Sequence, residues 1–239
     1  MISVHNISKS YGKQLAVDDL TLTISSGELF AFLGPNGAGK TTTIKMMVGL
    51  LQPTQGQIFI NGYSMAKDHL LAKKCLAYVP DQPYLYDKLS GKEMLEFVGR
   101  MYSIPEKTIQ ERIQQVIERF ELHDFINTLC ENYSHGMKQR LVFACALLHM
   151  PTVWIIDEPM VGLDPKSVRI VKNMLREEVG KGASIFMSTH SLEVAEETAD
   201  RIGIIHLGKL IALGTLQELR DKLEGKKKLE DIFLELTLS

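Results

Sequence analysis

Gly34-Pro35-Asn36-Gly37-Ala38-Gly39-Lys40-Thr41-Thr42 follows an apolar run, Leu29 to Leu33, and precedes apolar residues at helical spacing, Ile44, Met47, Val48 and Leu51. The pattern is G-x-x-x-x-G-K-[ST] in the strand, loop and helix setting that gives it meaning. Glycines let successive backbone N–H groups aim into one concavity. A helix starting near Gly39 adds the positive end of its dipole. In such a loop Lys40 reaches the β- and γ-phosphates and the Thr41 hydroxyl ligates Mg²⁺. The expected ligand is a nucleoside triphosphate.

Two further strand ends carry chemistry. Val153-Trp154-Ile155-Ile156 is wholly apolar, as a strand buried on both faces requires, and Asp157-Glu158 follows it directly. Ligands of α/β sheets gather at strand ends, so Asp157 is expected to face Mg²⁺ and Glu158 to act as general base toward water. His190 follows the strand-like Ser184 to Met187 and Ser188-Thr189. There it is placed to donate to the γ-phosphate or to hold the attacking water. Ser134 and Gly136, ahead of the apolar helix Leu141 to Leu148, make a second helix N-terminus able to hold an anion. Either Ser134 is simply an N-cap, or this second site serves another molecule's nucleotide.

The chain around these points alternates strands and helices, which argues a mostly parallel sheet with covered faces. Leu20, Leu22 and Ile24 alternate with Thr21, Thr23 and Ser25, a half-buried strand, and Asn61-Gly62 marks a hairpin. From Pro83 to about Met150 the pattern is helical, with Ser90 and Glu93 as a capping box and Ile109, Ile113, Val116, Ile117 and Phe120 at helical spacing. Asp164-Pro165 opens another helix as N-cap and first-turn proline. Ile202–Ile205 and Leu210–Leu213 flank a hairpin turn at Gly208-Lys209. In the tail, Thr215 and Glu218 form a capping box, Leu219 and Leu223 follow, and Lys226-Lys227-Lys228 is read as a solvated run. Leu229, Ile232, Phe233 and Leu236 form a stripe expected to pack on the chain's own body.

With 239 residues the chain can bury a sizeable core, and its formal charge of −2 gives no reason to expect nucleic acid as a partner. Cys75, Cys130 and Cys145 are scattered without metal-ligand spacing and read as reduced thiols. Met1 to His5 is strand-like and no signal peptide is expected. The most apolar stretch, Leu141 to Leu163, is interrupted by His149, Pro151, Asp157, Glu158 and Pro159 and is not expected to span a bilayer.

Taken together, in this order and over essentially the whole length, these motifs resemble those of ATP-binding-cassette ATPases. Gly34 to Thr41 resembles Walker A, Val153 to Glu158 Walker B with its catalytic glutamate, Gly162-Leu163-Asp164-Pro165 the D-loop, and His190 the switch histidine. Tyr133-Ser134-His135-Gly136-Met137 stands where the family's L-S-G-G-Q signature belongs, and Asp81 or Gln82 where its Q-loop glutamine falls. The resemblance implies an α/β P-loop NTPase fold with a RecA-like core, an N-terminal antiparallel β subdomain and an inserted helical subdomain. Residues 1–82 and 151–214 would form the nucleotide-binding core with its β subdomain, 83–150 the helical subdomain and 215–239 a helical tail. It further implies ATP with Mg²⁺, adenine stacked on Tyr11, and a head-to-tail dimer, of one cassette or two different ones. In that dimer Ser134, His135 and Gly136 face the partner's ATP. The loop sequence Tyr78 to Tyr86 and the closing Leu229 to Leu236 resemble cassettes paired with ABC-2-type permeases. That implies a peripheral subunit on the cytoplasmic face of a membrane, driving a separate permease. The alternative kept open is a soluble cassette that remodels ribosomes or DNA.

Overall fold

The computed structural model describes residues 1–222 and 228–238; Leu223, Lys226 and Lys227 of the tail lie outside the described residues. Its first layer is a four-stranded antiparallel sheet. Strand β1 (Ile2–Tyr11) pairs with β2 (Gln14–Ile24) on one side and β4 (Gln55–Ile60) on the other, with the short β5 (Tyr63–Ser64) at the edge. Leu20, Leu22 and Ile24 of β2 are buried while Thr21 and Thr23 are exposed, as their alternation requires.

The second sheet has six strands in the order β10-β9-β3-β8-β7-β6. They are β3 (Leu29–Leu33), β6 (Leu76–Val79), β7 (Val153–Asp157), β8 (Ser184–Thr189), β9 (Arg201–His206) and β10 (Lys209–Gly214). All pairs are parallel except the β9–β10 hairpin. Strand β3 shows how one run serves two cores. Phe30 and Phe32 face the first sheet, with Val153, Ile155 and Phe186, whereas Leu29, Ala31 and Leu33 face a layer of helices. Both sets are excluded from solvent, which is why the run is continuously apolar.

Helix α1 (Lys40–Met47) follows the phosphate loop, and α2 (His69–Cys75) precedes β6. Between β6 and β7 lie α3 (Gly91–Met101), α4 (Glu106–Arg119) and α5 (His135–Leu147). The Ser90 and Glu93 capping box starts α3 in full, with side chain and backbone reciprocally bonded. After β7 come α6 (Pro165–Gly180), capped by Asp164, and α7 (Leu192–Thr198), capped by Ser191. The tail forms α8 (Leu216–Lys222) and α9 (Leu229–Leu238), whose Leu229 and Ile232 are fully buried against the chain's own core.

One helix bound differs from the sequence reading. Helix α1 ends at Met47, and Leu51 lies beyond it, because the chain turns out at Gly49 with the Leu50 N–H returning to the Lys45 carbonyl. Helix α5 starts at His135 with Ser134 as its N-cap, one of the two roles the sequence left open for it, since Ser134 Oγ accepts from the Met137 N–H and fixes the first turn there. Burial raises the pKa of the Cys130 and Cys145 thiols, and all three cysteines are free. No helix among the described residues is long and apolar enough to cross a membrane.

Candidate functional site

The parallel register sets the site. Leu33 pairs with Thr189 and Asp157 with Ser188, so β3, β7 and β8 end at one level of the sheet. The phosphate loop, Asp157-Glu158 and His190 therefore emerge side by side at the carboxyl ends of neighbouring strands, where open α/β sheets place ligands.

Gly39 is the N-cap of α1 at φ 113°, a conformation that side chains resist, and a Cβ there would lie 2.6 Å from the Ala16 carbonyl oxygen. The turn between β9 and β10 braces the same loop, with the Gly208 N–H donating to the Ala38 carbonyl at 2.9 Å. Lys40 is buried and folds along the loop, Nζ donating to the carbonyls of Gly34 (2.6 Å) and Pro35 (3.2 Å). Burial lowers its pKa, while Glu158 and Asp157 act to raise it. An open cleft of about 470 Å³ joins Pro35, Asn36, Gly37, Gly39, Lys40, Thr41 and Thr42 to Tyr11, with Gln14, Leu15, Ala16, Leu207 and Gly208 completing its wall. Tyr11 ends β1 and is 50% exposed beside the phosphate loop, with Lys9 Nζ over its ring, 5.7 Å from the centroid.

Asp157 is buried at the end of β7, and its Oδ1 accepts from the Ser188 hydroxyl. Burial raises its pKa, a shift opposed by that hydrogen bond and by Lys40 and reinforced by the charges of Glu158 and Asp81. Asp81 thus acts electrostatically on the site, and both Asp81 and Gln82 are exposed. Glu158, at φ 48°, leaves the strand in a left-handed turn that swings its carboxylate toward the next strand end. Its Oε2 lies 2.9 Å from His190 Nδ1 and accepts from the His190 N–H at 3.2 Å. The two side chains hold each other, with Glu158 14% exposed and His190 63% exposed.

The start of α5 lies elsewhere. Ser134 is exposed at the start of α5, Gly136 is buried behind it, and none of Ser134, His135 and Gly136 lines the cleft. His135 Nε2 is 3.0 Å from the Val161 carbonyl oxygen. Tyr133 is buried and its hydroxyl donates to the Phe125 carbonyl at 2.7 Å; burial pushes its pKa up to about 12. Asp164 accepts from the Ser167 N–H and hydroxyl, which lowers its pKa. Sequence reasoning missed the role of Ser188, and it placed the β9–β10 turn without its contact to the phosphate loop. A serine directly after the apolar Ile185-Phe186-Met187 was the available signal for Ser188; the turn's role is set by tertiary contact alone.

A family model described as ABC transporter matches residues 17–161. The SkfA peptide export ATP-binding protein SkfE of Bacillus subtilis (strain 168) is 41% identical over 228 residues, covering 95% of each chain. The solved structure of an ATP-binding subunit of an ABC transporter superposes with a TM-score of 0.93 at 35% identity, covering 99% of both chains. The ATP-binding cassette MJ0796, solved as a dimer in a post-hydrolysis state with ADP and Pi, superposes at 0.81 with 25% identity, over 90% of this chain and 99% of that one. The chain belongs to the ABC transporter family, and it is an ATP-binding cassette whose chemistry is ATP hydrolysis.

Proposed function

We propose that this cassette is the ATP-hydrolysing subunit of an exporter, working head to tail with a second cassette on the cytoplasmic face of a membrane beneath a separate ABC-2-type permease. The observation that carries the dimer is the place of Ser134. A capped helix N-terminus, free to receive an anion, starts outside the cleft that its own phosphate loop lines. It is available to a nucleotide held by a second protomer, alike or different. The export reading draws on the likeness to SkfE, named for peptide export, and makes the remodelling alternative the weaker one.

In this reading the N–H groups of Gly37 to Thr41 and the Lys40 ammonium hold the phosphates, and Tyr11 offers its exposed face to adenine. The Thr41 hydroxyl and the Asp157 carboxylate, held by Ser188, are a pair of hard oxygen donors that fits Mg²⁺, which takes one or two protein ligands beside phosphate and water. When bound, that ion neutralises charge developing on the phosphates. Glu158 receives the proton of the attacking water, and His190 keeps the carboxylate aimed. Asp81 or Gln82 takes the Q-loop place, and the charge of Asp81 reaches Asp157. The division into residues 1–82 with 151–214, 83–150 and 215–239 belongs to the same proposal, as does a permease contact around the exposed Tyr84, Tyr86, Phe97 and Met101.

Ser134→Arg tests the composite site. The variant should bind ATP as a monomer and fail to hydrolyse it; turnover at the wild-type rate would remove the second protomer from the site. Co-purification from detergent-solubilised membranes should yield a polytopic protein in near-stoichiometric amount, whereas recovery with ribosomes or nucleic acid would favour the remodelling cassette.

A further inference from the structure

The start of α5 is fastened to the turn that follows Glu158. His135 Nε2 donates to the Val161 carbonyl across 3.0 Å. Its ring also lies over Gly162, where φ is 70° and an added Cβ would come within 3.2 Å of His135 Cδ2. One residue on, a Cβ on Gly136 would stand 3.1 Å from the Asp164 carboxylate, so the helix start and the turn approach without a gap. Within the turn, the Val161 N–H to Glu158 carbonyl bond is 3.3 Å and the Leu163 N–H to Met160 bond is 3.4 Å, both at the weak end of the range. The turn is held less by its own backbone than by its two ends and by His135.

We propose that His135 is a positioning residue for ATP hydrolysis, one that ties the anion-binding start of α5 to the turn carrying Glu158 and Asp164. The proposal rests on the composite-site reading. A nucleotide of the neighbouring protomer engages Ser134; the next residue, His135, grips Val161; and Val161 stands three residues beyond Glu158 of its own site. Occupancy at one site is thereby passed to the base at the other through a short, contiguous set of contacts. A coupling of this kind requires the tie to be stronger in one state of the dimer than in the other. An exposed histidine that merely satisfies a neighbouring carbonyl would make the same hydrogen bond, and the variants below separate the two roles.

His135→Leu removes the donor and keeps a side chain over Gly162. Its kcat for ATP should fall by roughly 2- to 30-fold, the range for residues that carry coupling, with KM and thermal melting unchanged. His135→Gln, whose amide N–H reaches as far as Nε2, should restore kcat; His135→Asn, too short to reach Val161, should not. Wild-type kcat in the Leu variant, or equal losses in the Gln and Asn variants, would overturn the proposal. The Gln and Asn comparison decides it even where the Leu variant folds poorly. Ser134→Arg run beside them separates the two readings. An inactive Ser134→Arg with a fully active His135→Leu refutes only the tie, whereas an active Ser134→Arg removes the composite site and the tie with it.

Discussion

His149 makes the attachment of the helical block to the sheet sensitive to acid. It lies just past α5, stacked on Tyr102 at 3.9 Å between ring centroids, with Nε2 donating to the Leu76 carbonyl at the start of β6. Its Nδ1 is buried with no hydrogen-bond partner. A second proton would place an N–H and a charge where nothing accepts either. Burial accordingly lowers its pKa from the usual 6.5 to about 4, the Leu76 carbonyl opposing and Arg112 adding to the shift. Above pH 6.5 the imidazole is neutral in folded and unfolded chains alike, and its contribution to stability is fully present. Between 6.5 and about 4 the unfolded chain binds the proton and the folded one does not, so stability falls with pH; below about 4 the loss is complete. At about 1.4 kcal/mol per pH unit, that interval amounts to on the order of 3 kcal/mol. The assay is urea unfolding at several pH values between 7.5 and 4, for the wild type and for His149→Gln, whose amide can still donate to Leu76. Carboxylates titrate in both proteins and cancel in the difference. The wild type should lose on the order of 3 kcal/mol relative to the variant across this range. A difference that stays flat from pH 6.5 to 4.5 would mean that His149 takes up its proton alike in the folded and unfolded chains.

Two further substitutions probe the site's supports. Ser188→Ala removes the hydroxyl that holds Asp157, and the Mg²⁺ concentration for half-maximal ATPase should rise by roughly 10- to 100-fold, as loss of an outer partner of a metal ligand does; an unchanged Mg²⁺ titration would contradict it. Tyr133→Phe removes one of three donors to the Phe125 carbonyl, which keeps the Thr128 N–H (2.9 Å) and hydroxyl (2.8 Å), so urea unfolding should show a loss of only about 0.5–1.5 kcal/mol; a loss well above that would contradict it.

The nucleotide half of the site was legible because its chemistry is local. Phosphate-loop spacing, a strand ending in Asp157-Glu158 and a strand ending before His190 each name a sheet edge, and only a parallel register is needed to bring them together. Helices with a capping box or a wide apolar stripe, such as α3 and α4, were equally plain. Helix α2 was not: it has seven residues, its Asp68 N-cap makes no side-chain cap bond, and only Ala72 is buried, so no periodicity marks it. The Ser188 and Gly208 contacts depend on which strands become neighbours, information that no short window contains. The grip of His135 on Val161 joins residues 26 apart, one at a helix start and one in a turn, and was equally hidden.

In the proposed dimer Glu158 completes hydrolysis of a nucleotide shared by two cassettes. The direct measurement is the mass of Glu158→Gln in solution, by light scattering, with and without ATP and Mg²⁺, beside its rate of turnover. The glutamine keeps the shape of the side chain and cannot accept the proton of water, so ATP should convert the 26.9 kDa protomer into a stable species of twice that mass with turnover abolished. A variant that hydrolyses ATP at the wild-type rate, or that binds ATP and stays a monomer, would contradict the account.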